Sequence, residues 1–180
     1  MYATLISMGK TKLTQHLQSL SQKQLIDLVL QLYDADKSAQ RWLDYYLQPD
    51  DTACLQQFKQ IILDEFYPAD RTEPKMRFAV CRQAIMDFKQ LKPRPEALAE
   101  LMVFYVETAC RFACESGEMW EKYYGVLARN FLATMKFIQK NGLHSRFQPN
   151  LSNILHYAQH TADNFAETIT AIYTAYPPAG

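Results

Sequence analysis

The amino-acid sequence predicts an all-α fold, an irregular multi-helix bundle or a short α-α superhelix of about eight helices. Apolar residues recur at three- and four-residue spacing along most of the chain, which is the period of an amphipathic helix. The 180 residues include only 5 glycines, and the Asn-Gly and Asp-Gly pairs typical of hairpin turns are scarce. One segment, Pro95 to Ser116, is apolar over more than half of its circumference and needs several helical neighbours.

The first third of the chain is predicted to form four short helices. Leucines at helical spacing indicate the first, and Ser21 is placed to cap the second, over Gln22 to Tyr33. Ser38 is the expected cap of the third, which ends at Pro49, and Asp50, Asp51 and Thr52 offer caps for the fourth. The expected apolar faces are, in chain order, Leu13, Leu17 and Leu20; Leu25, Leu28, Val29 and Leu32; Trp42, Leu43, Tyr45 and Tyr46; and Leu55, Phe58, Ile62 and Phe66.

The stretch Pro68 to Pro74 is the most loop-like part of the sequence. We expect a single helical domain over residues 1–180 and place any subdomain break at 68–74. Such a break would separate short helices in 11–67 from longer ones in 75–176. A helix is expected directly after it, over residues 75–91. The side chains expected to face the core are Phe78, Cys81, Ile85 and Phe88.

The segment Pro95 to Ser116 is predicted to be the helix around which the others pack. Proline suits a first helical turn, and Gly117 can adopt the left-handed conformation that ends a helix. The narrow polar seam of this helix consists of Glu100, Glu107 and Arg111. Glu107 precedes Arg111 by four residues, the favourable order for an ion pair, so we expect that pair rather than acid–base chemistry.

Two long helices are predicted to complete the chain. The first covers Glu118 to Lys140, and the second covers Leu151 to Tyr176 after a brief link that ends at Pro149. Adjacent tyrosines on a helix point about 100° apart. In the pair Tyr123 and Tyr124, one ring is therefore expected to be at least partly exposed.

The charge balance argues against a strongly charged class of binder. Lys+Arg and Asp+Glu both total 19, so no net field draws the whole protein to nucleic acid or to an anionic membrane. The four cysteines lie inside helical patterns, which favours reduced thiols. Residues 1–8 lack the basic start of a signal peptide, and no apolar run is long enough to span a bilayer. We expect a cytoplasmic protein whose start is Met1 or Met8.

Two cysteines and two histidines have the composition of a zinc site. Cys110 and Cys114 are four residues apart, as are His156 and His160, which together would form a Cys2His2 set. The cysteines lie on an apolar flank of their helix, whereas the histidines lie opposite the predicted inward stripe of theirs. A tetrahedral centre shared by both pairs is therefore disfavoured.

A second metal hypothesis uses one helix alone. In a continuous helix 151–176, His156 and His160 share a face with Asp163 and Glu167. Imidazole and carboxylate ligands at this spacing could bind a divalent metal, and a metal-dependent enzyme centred on them is one alternative function. The other interpretation is a solvated polar face. No catalytic residue and no cofactor are predicted.

The segment Lys75 to Arg94 holds the one marked charge asymmetry, with six basic residues and one acid. Lys75, Arg82 and Lys89 are seven residues apart and would line one helix edge. Binding of nucleic acid or of an acidic partner through this edge is a second alternative. Because nucleic-acid modules are usually basic overall, we expect a solvated face instead.

Four segments carry a resemblance to a known family. They are SLSQKQLIDLVLQLY (Ser19 to Tyr33), DEFYP (Asp64 to Pro68), DFKQL (Asp87 to Leu91) and YVETACRF (Tyr105 to Phe112). Together they resemble an uncharacterised all-helical bacterial family, a domain of unknown function. The resemblance implies an all-helical fold, a bacterial cytoplasmic protein and no assigned activity. The family's Gly-Asp after the central helix is Gly117-Glu118 here, and its later glycine and tryptophan are absent from Ala162 to Phe165.

These observations favour a non-catalytic protein–protein interaction or scaffold domain that acts through its helix faces. No phosphate-binding loop, dinucleotide fingerprint, nucleophile elbow or H-E-x-x-H motif is present. The 11 Tyr, 10 Phe and 2 Trp residues can supply a contact surface. We expect the partner to be another protein or a second copy of the chain, and neither nucleic acid nor a membrane.

Overall fold

The computed structural model describes residues 9–48, 50–117 and 119–178, which contain nine helices and no strand. The predicted all-α fold is confirmed. The chain divides into two compact units after residue 49, and the stretch 68–74 lies inside the second unit. Residues 1–8, on which the signal-peptide prediction falls, lie outside the described residues, as do the predicted helix boundaries Pro49 and Glu118.

The described part of the first unit contains three helices, and none of them has a buried residue. Ser21 begins the second with a capping box: its hydroxyl accepts from the Gln24 N–H at 3.3 Å, and the Gln24 side chain accepts from the Ser21 N–H at 2.8 Å. Asp36 caps the third by accepting from the N–H groups of Ser38 and Ala39, so the predicted cap, Ser38, is wrong. The helices are α1 Lys10–Ser19, α2 Gln22–Ala35 and α3 Lys37–Leu47.

The second unit is built around one helix that four others cover. Its helices are α4 Asp51–Phe66, α5 Phe78–Gln90, α6 Pro95–Ser116, α7 Glu121–Lys140, α8 His144–Gln159 and α9 Asp163–Ala175. Helix α6 contacts α4, α5, α7 and α8, and twelve of its 22 residues are buried. Pro95 lies in its first turn, and Gly117, with φ of 89°, ends it. The prediction that this helix forms the core is confirmed.

Aromatic rings fill the core beside α6. Tyr123 of α7 is fully buried, donates its hydroxyl to the Ala109 carbonyl at 2.8 Å and packs edge-on against Phe78. Its neighbour Tyr124 is also buried and lies 4.8 Å, between ring centroids, from Phe165 of α9. The prediction that one ring of this pair is exposed is wrong. Helix α7 packs against both α6 and α9, so each of the two tyrosine rings is covered by a neighbouring helix.

A buried carboxylate fixes the loop between α4 and α5. Glu65 is 3% exposed and accepts hydrogen bonds from the Arg77 side chain, the shortest at 2.6 Å, and from the Arg77 N–H at 2.9 Å. The Met76 N–H donates to the Glu65 carbonyl at 2.9 Å. Arg71 and Met76 have positive φ angles of 60° and 49°, which are uncommon for residues other than glycine. These contacts hold Lys75 and Arg77 outside the helix, so α5 begins three residues later than predicted.

The predicted continuous helix 151–176 is wrong, because two helices, α8 and α9, occupy this part of the chain. Pro149 lies inside α8 and has no N–H to donate to the Ser145 carbonyl. Both residues are exposed, so water can donate to that carbonyl instead. Thr161 ends the helix because its N–H and its hydroxyl both donate to the Ala158 carbonyl, at 3.2 and 2.7 Å. This break accounts for the ninth helix.

Candidate functional site

The histidines of the metal hypothesis lie at the exposed end of α8. The His156 and His160 rings are 4.6 Å apart between centroids, and His160 Nδ1 lies 2.8 Å from the His156 carbonyl oxygen. Glu167 lies on α9, beyond the break at Thr161, so the predicted single helix face that joins it to the histidines is wrong. The side chain of Asp163 is outside the described part of the chain, and its role as a ligand stays a prediction.

The cysteine pair lies deeper in the second unit than the histidines. Cys110 is fully buried and Cys114 half-buried, whereas His156 and His160 are exposed. Burial raises the pKa of the Cys110 thiol above its ordinary value, which disfavours the thiolate that zinc binds. Among the side chains that the structure describes, no three from His, Cys, Asp and Glu are grouped as metal ligands. The geometry therefore gives the Cys2His2 hypothesis no support.

The basic edge is shorter than the sequence predicts. Lys75, Arg82 and Lys89 are all exposed, but only Arg82 and Lys89 lie on α5. Lys75 belongs to the loop that Glu65 fixes, so the prediction that all three line one helix edge is wrong. Binding of nucleic acid or an acidic partner through Arg82 and Lys89 stays a prediction.

The polar seam of α6 lies between α4 and α8 and contacts both. Lys59 of α4 donates its Nζ to Glu100 Oε1 at 2.7 Å. From α8, the side-chain amides of Asn150 and Asn153 donate to the two carboxylate oxygens of Glu107 at 2.8 and 2.7 Å. Hydrogen bonds to an ionised group are stronger than those between neutral groups. The two carboxylates therefore tie the central helix to α4 and α8.

Arg111 pairs with Glu115 and Tyr67 rather than with Glu107, so the predicted ion pair is wrong. Arg111 Nε donates to Tyr67 Oη at 3.2 Å and lies 3.7 Å from Glu115 Oε1. Tyr67 in turn donates to Glu115 Oε2 at 2.7 Å. Burial and this carboxylate raise the pKa of Tyr67 to about 12, so its hydroxyl remains protonated at neutral pH.

The cavities of the second unit are small or open. Three of them follow the polar seam, with volumes of 400, 430 and 380 Å³. A fourth, of 600 Å³, lies between α7 and α9 and is lined by Tyr124, Gly125, Arg129, Phe165 and Thr168 among others. The carboxylates along the seam are already held by Lys59 and by the asparagines of α8. This arrangement is structural and does not present a nucleophile next to a base.

His144, at the start of α8, is a buried polar side chain to which the described residues offer no hydrogen bond. It is 5% exposed, and neither ring nitrogen has a hydrogen-bond partner among the described residues. Its ring lies 5.7 Å, between centroids, from that of Tyr173. His144 lines none of the four cavities, so it is not placed to contact a ligand in them.

The first unit exposes large apolar side chains, most of them on α2. One strip of α2, which contains Leu25 and Tyr33, faces α3. Both residues are half-buried, and the Tyr33 hydroxyl donates to Asp44 Oδ1 of α3 at 2.9 Å. On one side of the strip lies the Ile26–Leu30 flank, and on the other the Leu28–Leu32 flank. The exposed fractions are Ile26 52%, Leu28 41%, Val29 46%, Leu30 56% and Leu32 52%.

Ile26 and Leu30 were missed by the sequence-based description of the apolar face of α2. The signal was present: the run LIDLVLQL places apolar residues around more than half of the helix, as in α6. In α6 such an arc is covered by four helices, but in α2 it is left exposed within its unit. The exposed arc of α2 is the candidate functional site of this chain.

The model of one protein family, described as a family of unknown function (DUF6155), matches residues 8–176. This match spans both units and nearly the whole chain. No curated protein and no solved structure gives a significant match to the chain. The comparisons therefore confirm the resemblance to an uncharacterised helical family and supply no activity.

Proposed function

The chain belongs to the family of unknown function DUF6155, and we propose that it is a non-catalytic protein–protein interaction domain that binds through helix α2. The observation that carries this proposal is the exposed apolar arc of α2. An apolar arc wider than half a helix is favourable only when several neighbours cover it. Within the first unit, α3 partly covers the strip of α2 that contains Leu25, Val29 and Tyr33 and leaves both flanks open.

Burial of this surface in an interface would favour association. Five large apolar side chains on α2 are between 41% and 56% exposed. Burying one such side chain fully contributes about 1.5–3 kcal/mol, so covering these exposed parts would contribute about 4–7 kcal/mol before the costs of association. The polar rim and the apolar residues of α1 and α3 would add to that contribution.

A protein fits this surface better than a membrane does. Helices that lie on membranes carry a polar face rich in Lys and Arg. The polar face of α2 carries one cation, Lys23, and two anions, Asp27 and Asp34, among glutamines. Such a face is not attracted to anionic lipids, whereas mixed charge is common at the rim of a protein interface.

The proposal places the protein in the cytoplasm. Cys81, Cys110 and Cys114 are free thiols, as is usual in a reducing compartment. No helix in the described part of the chain has the length and hydropathy needed to span a bilayer.

Photo-crosslinking in the cell tests the proposal. A photoreactive residue in place of Leu30 of the full chain should yield a discrete protein adduct on irradiation, because this side chain is the most exposed of the five large apolar side chains on α2. The matched control carries the same residue in place of Gln139, an exposed position on α7. An adduct at position 30 and none at position 139 supports the proposal. No adduct at position 30, or the same pattern at both positions, contradicts it.

A further inference from the structure

We propose that the partner of α2 is a second copy of this chain, with the two α2 helices packed antiparallel across a two-fold axis. This inference rests on the proposed function, because it names the occupant of the same surface. It commits to the Ile26–Leu30 flank as the contact, with Lys23 and Asp34 at its rim.

The distribution of charge along α2 suits a second copy. Turned at about 100° per residue, Lys23 and Asp34 both lie within about 60° of the centre of the Ile26–Leu30 flank, on the same side of it. They are eleven residues apart, or about 16 Å along the axis at 1.5 Å per residue. One end of the rim is therefore positive and the other negative.

In a two-fold symmetric, antiparallel pair, the positive end of one rim lies opposite the negative end of the other. In an antiparallel pair centred between Leu28 and Val29, Lys23 of each copy lies opposite Asp34 of the other, which gives two symmetric ion pairs. Ile26 of one copy then lies within one residue of Leu30 of the other, so the apolar side chains meet at the centre. A parallel two-fold pair would place the two Lys23 residues at one level and the two Asp34 residues at another, so neither charge would lie opposite its counter-ion.

The first unit as a whole exposes an apolar area comparable with one side of a stable interface, and the Ile26–Leu30 flank is one part of it. Over residues 9–48, the first unit exposes nine large apolar side chains: Leu13, Ile26, Leu28, Val29, Leu30, Leu32, Trp42, Tyr46 and Leu47. Their exposed fractions correspond to roughly 1,000 Å², and each partner in a stable interface contributes roughly 800 Å². The flank and its rim can therefore form the centre of an interface that side chains of α1 and α3 extend.

The overall charge of the first unit is compatible with self-association. Residues 9–48 contain five basic residues, Lys10, Lys12, Lys23, Lys37 and Arg41, and four acidic ones, Asp27, Asp34, Asp36 and Asp44. Two copies of a nearly neutral surface do not repel each other. A strongly acidic or strongly basic partner would find no complementary field on it.

Charge reversal measured by sedimentation equilibrium tests the inference. The purified full chain should dimerise with increasing concentration, and Leu30→Glu should abolish dimerisation because it introduces a charge at the apolar centre. Lys23→Glu alone and Asp34→Lys alone should each raise the dimer dissociation constant by about tenfold, because two attractive rim pairs become repulsive. The double variant Lys23→Glu/Asp34→Lys should restore it to within about threefold of the original, since the pairs re-form with opposite polarity.

Lys136→Glu, at an exposed position on α7, is the matched control and should leave the dissociation constant unchanged. A full chain that stays monomeric overturns the inference, as does a dimer that is insensitive to Leu30→Glu or a double variant no tighter than the single ones. The crosslinking experiment separates the two proposals. An adduct at position 30 with a different protein refutes self-association and leaves the proposed function standing, whereas no adduct there refutes both.

Discussion

The contact between Arg77 and Glu65 should contribute measurably to the stability of the second unit. Arg77→Ala removes the side-chain hydrogen bonds, in which Nε lies 3.1 and 3.0 Å from the two carboxylate oxygens and Nη2 lies 2.6 Å from Oε1. It leaves Glu65, 3% exposed, with one hydrogen bond from the backbone N–H of residue 77. The variant therefore retains a buried carboxylate that has lost its counter-ion.

The expected loss follows from the exposure of the two partners. Removing one partner of a fully buried charge pair costs about 3–5 kcal/mol. The Arg77 side chain is 56% exposed, so water can reach the position that it vacates and solvate part of the carboxylate. We therefore expect Arg77→Ala to lower the free energy of unfolding by about 2 kcal/mol at neutral pH.

The loss should depend on pH with a defined sign. Burial raises the pKa of Glu65, but the hydrogen bonds and charge of Arg77 outweigh burial, and the net pKa lies below its ordinary value. A carboxyl group with a lowered pKa in the folded state contributes stability above its unfolded pKa and loses it as the pH falls through the folded pKa. The difference between the original chain and Arg77→Ala should therefore shrink as the pH falls through that acid range.

Urea denaturation followed by circular dichroism at several pH values measures this difference. Arg129→Ala, at an exposed arginine of α7, is the control and should change the free energy of unfolding by less than about 0.5 kcal/mol. A loss for Arg77→Ala that is as small as this control, or one that is constant through the acid range, would refute the electrostatic reasoning.

The remaining predictions concern the core and the polar seam. The Cys110 thiol is fully buried with a raised pKa, so maleimide should label it far more slowly in the native protein than in urea, and equal rates would contradict its burial. Leu101→Ala should lower the free energy of unfolding by about 3 kcal/mol because it leaves a cavity. The same change at Leu30, in dilute protein, should cost less than about 0.5 kcal/mol, and similar losses would show that α2 is packed like α6. A double-mutant cycle on Glu107 and Asn150 should give a coupling energy of about 1 kcal/mol, whereas additive losses would exclude their hydrogen bond.

The central helix could be predicted from sequence because its determinants are local. Pro95 and Gly117 set its ends through the conformations that proline and glycine favour. The apolar arc between them is wider than a single neighbour can cover, and this follows from the residue spacing alone. For the same reason Ser21 could be identified as the cap of α2, since its partner Gln24 is three residues away.

The contacts that failed to follow from sequence are those in which two hydrogen-bonding arrangements compete. Glu107 could have paired with Arg111 on its own helix, but α8 brings two asparagine amides to it from more than forty residues away. Thr161 ends α8 by donating to a nearby carbonyl, which competes with a helix pattern that continues through it. Local spacing alone does not show which of two competing hydrogen bonds forms.

The exposed arc of α2 shows the same limit for apolar residues. Its residue pattern and that of α6 both predict a helix that needs neighbours, but only the structure shows that α6 has them within its unit. Periodicity states how much apolar surface must be covered and does not identify what covers it. The candidate site could therefore be recognised only as a difference between two helices with similar sequence patterns.

The accessibility of α2 inside the cell tests the central claim most directly. A cysteine introduced by Leu30→Cys can be labelled with a membrane-permeant maleimide in cells that produce the protein, with Gln139→Cys as the exposed reference on α7. Labelling is quantified by mass spectrometry of the peptide that carries each position. If a protein partner covers α2, position 30 should be labelled much more slowly than position 139 in the cell, and at a similar rate in dilute purified protein. Equal labelling of the two positions in the cell would contradict the claim that α2 is an interface.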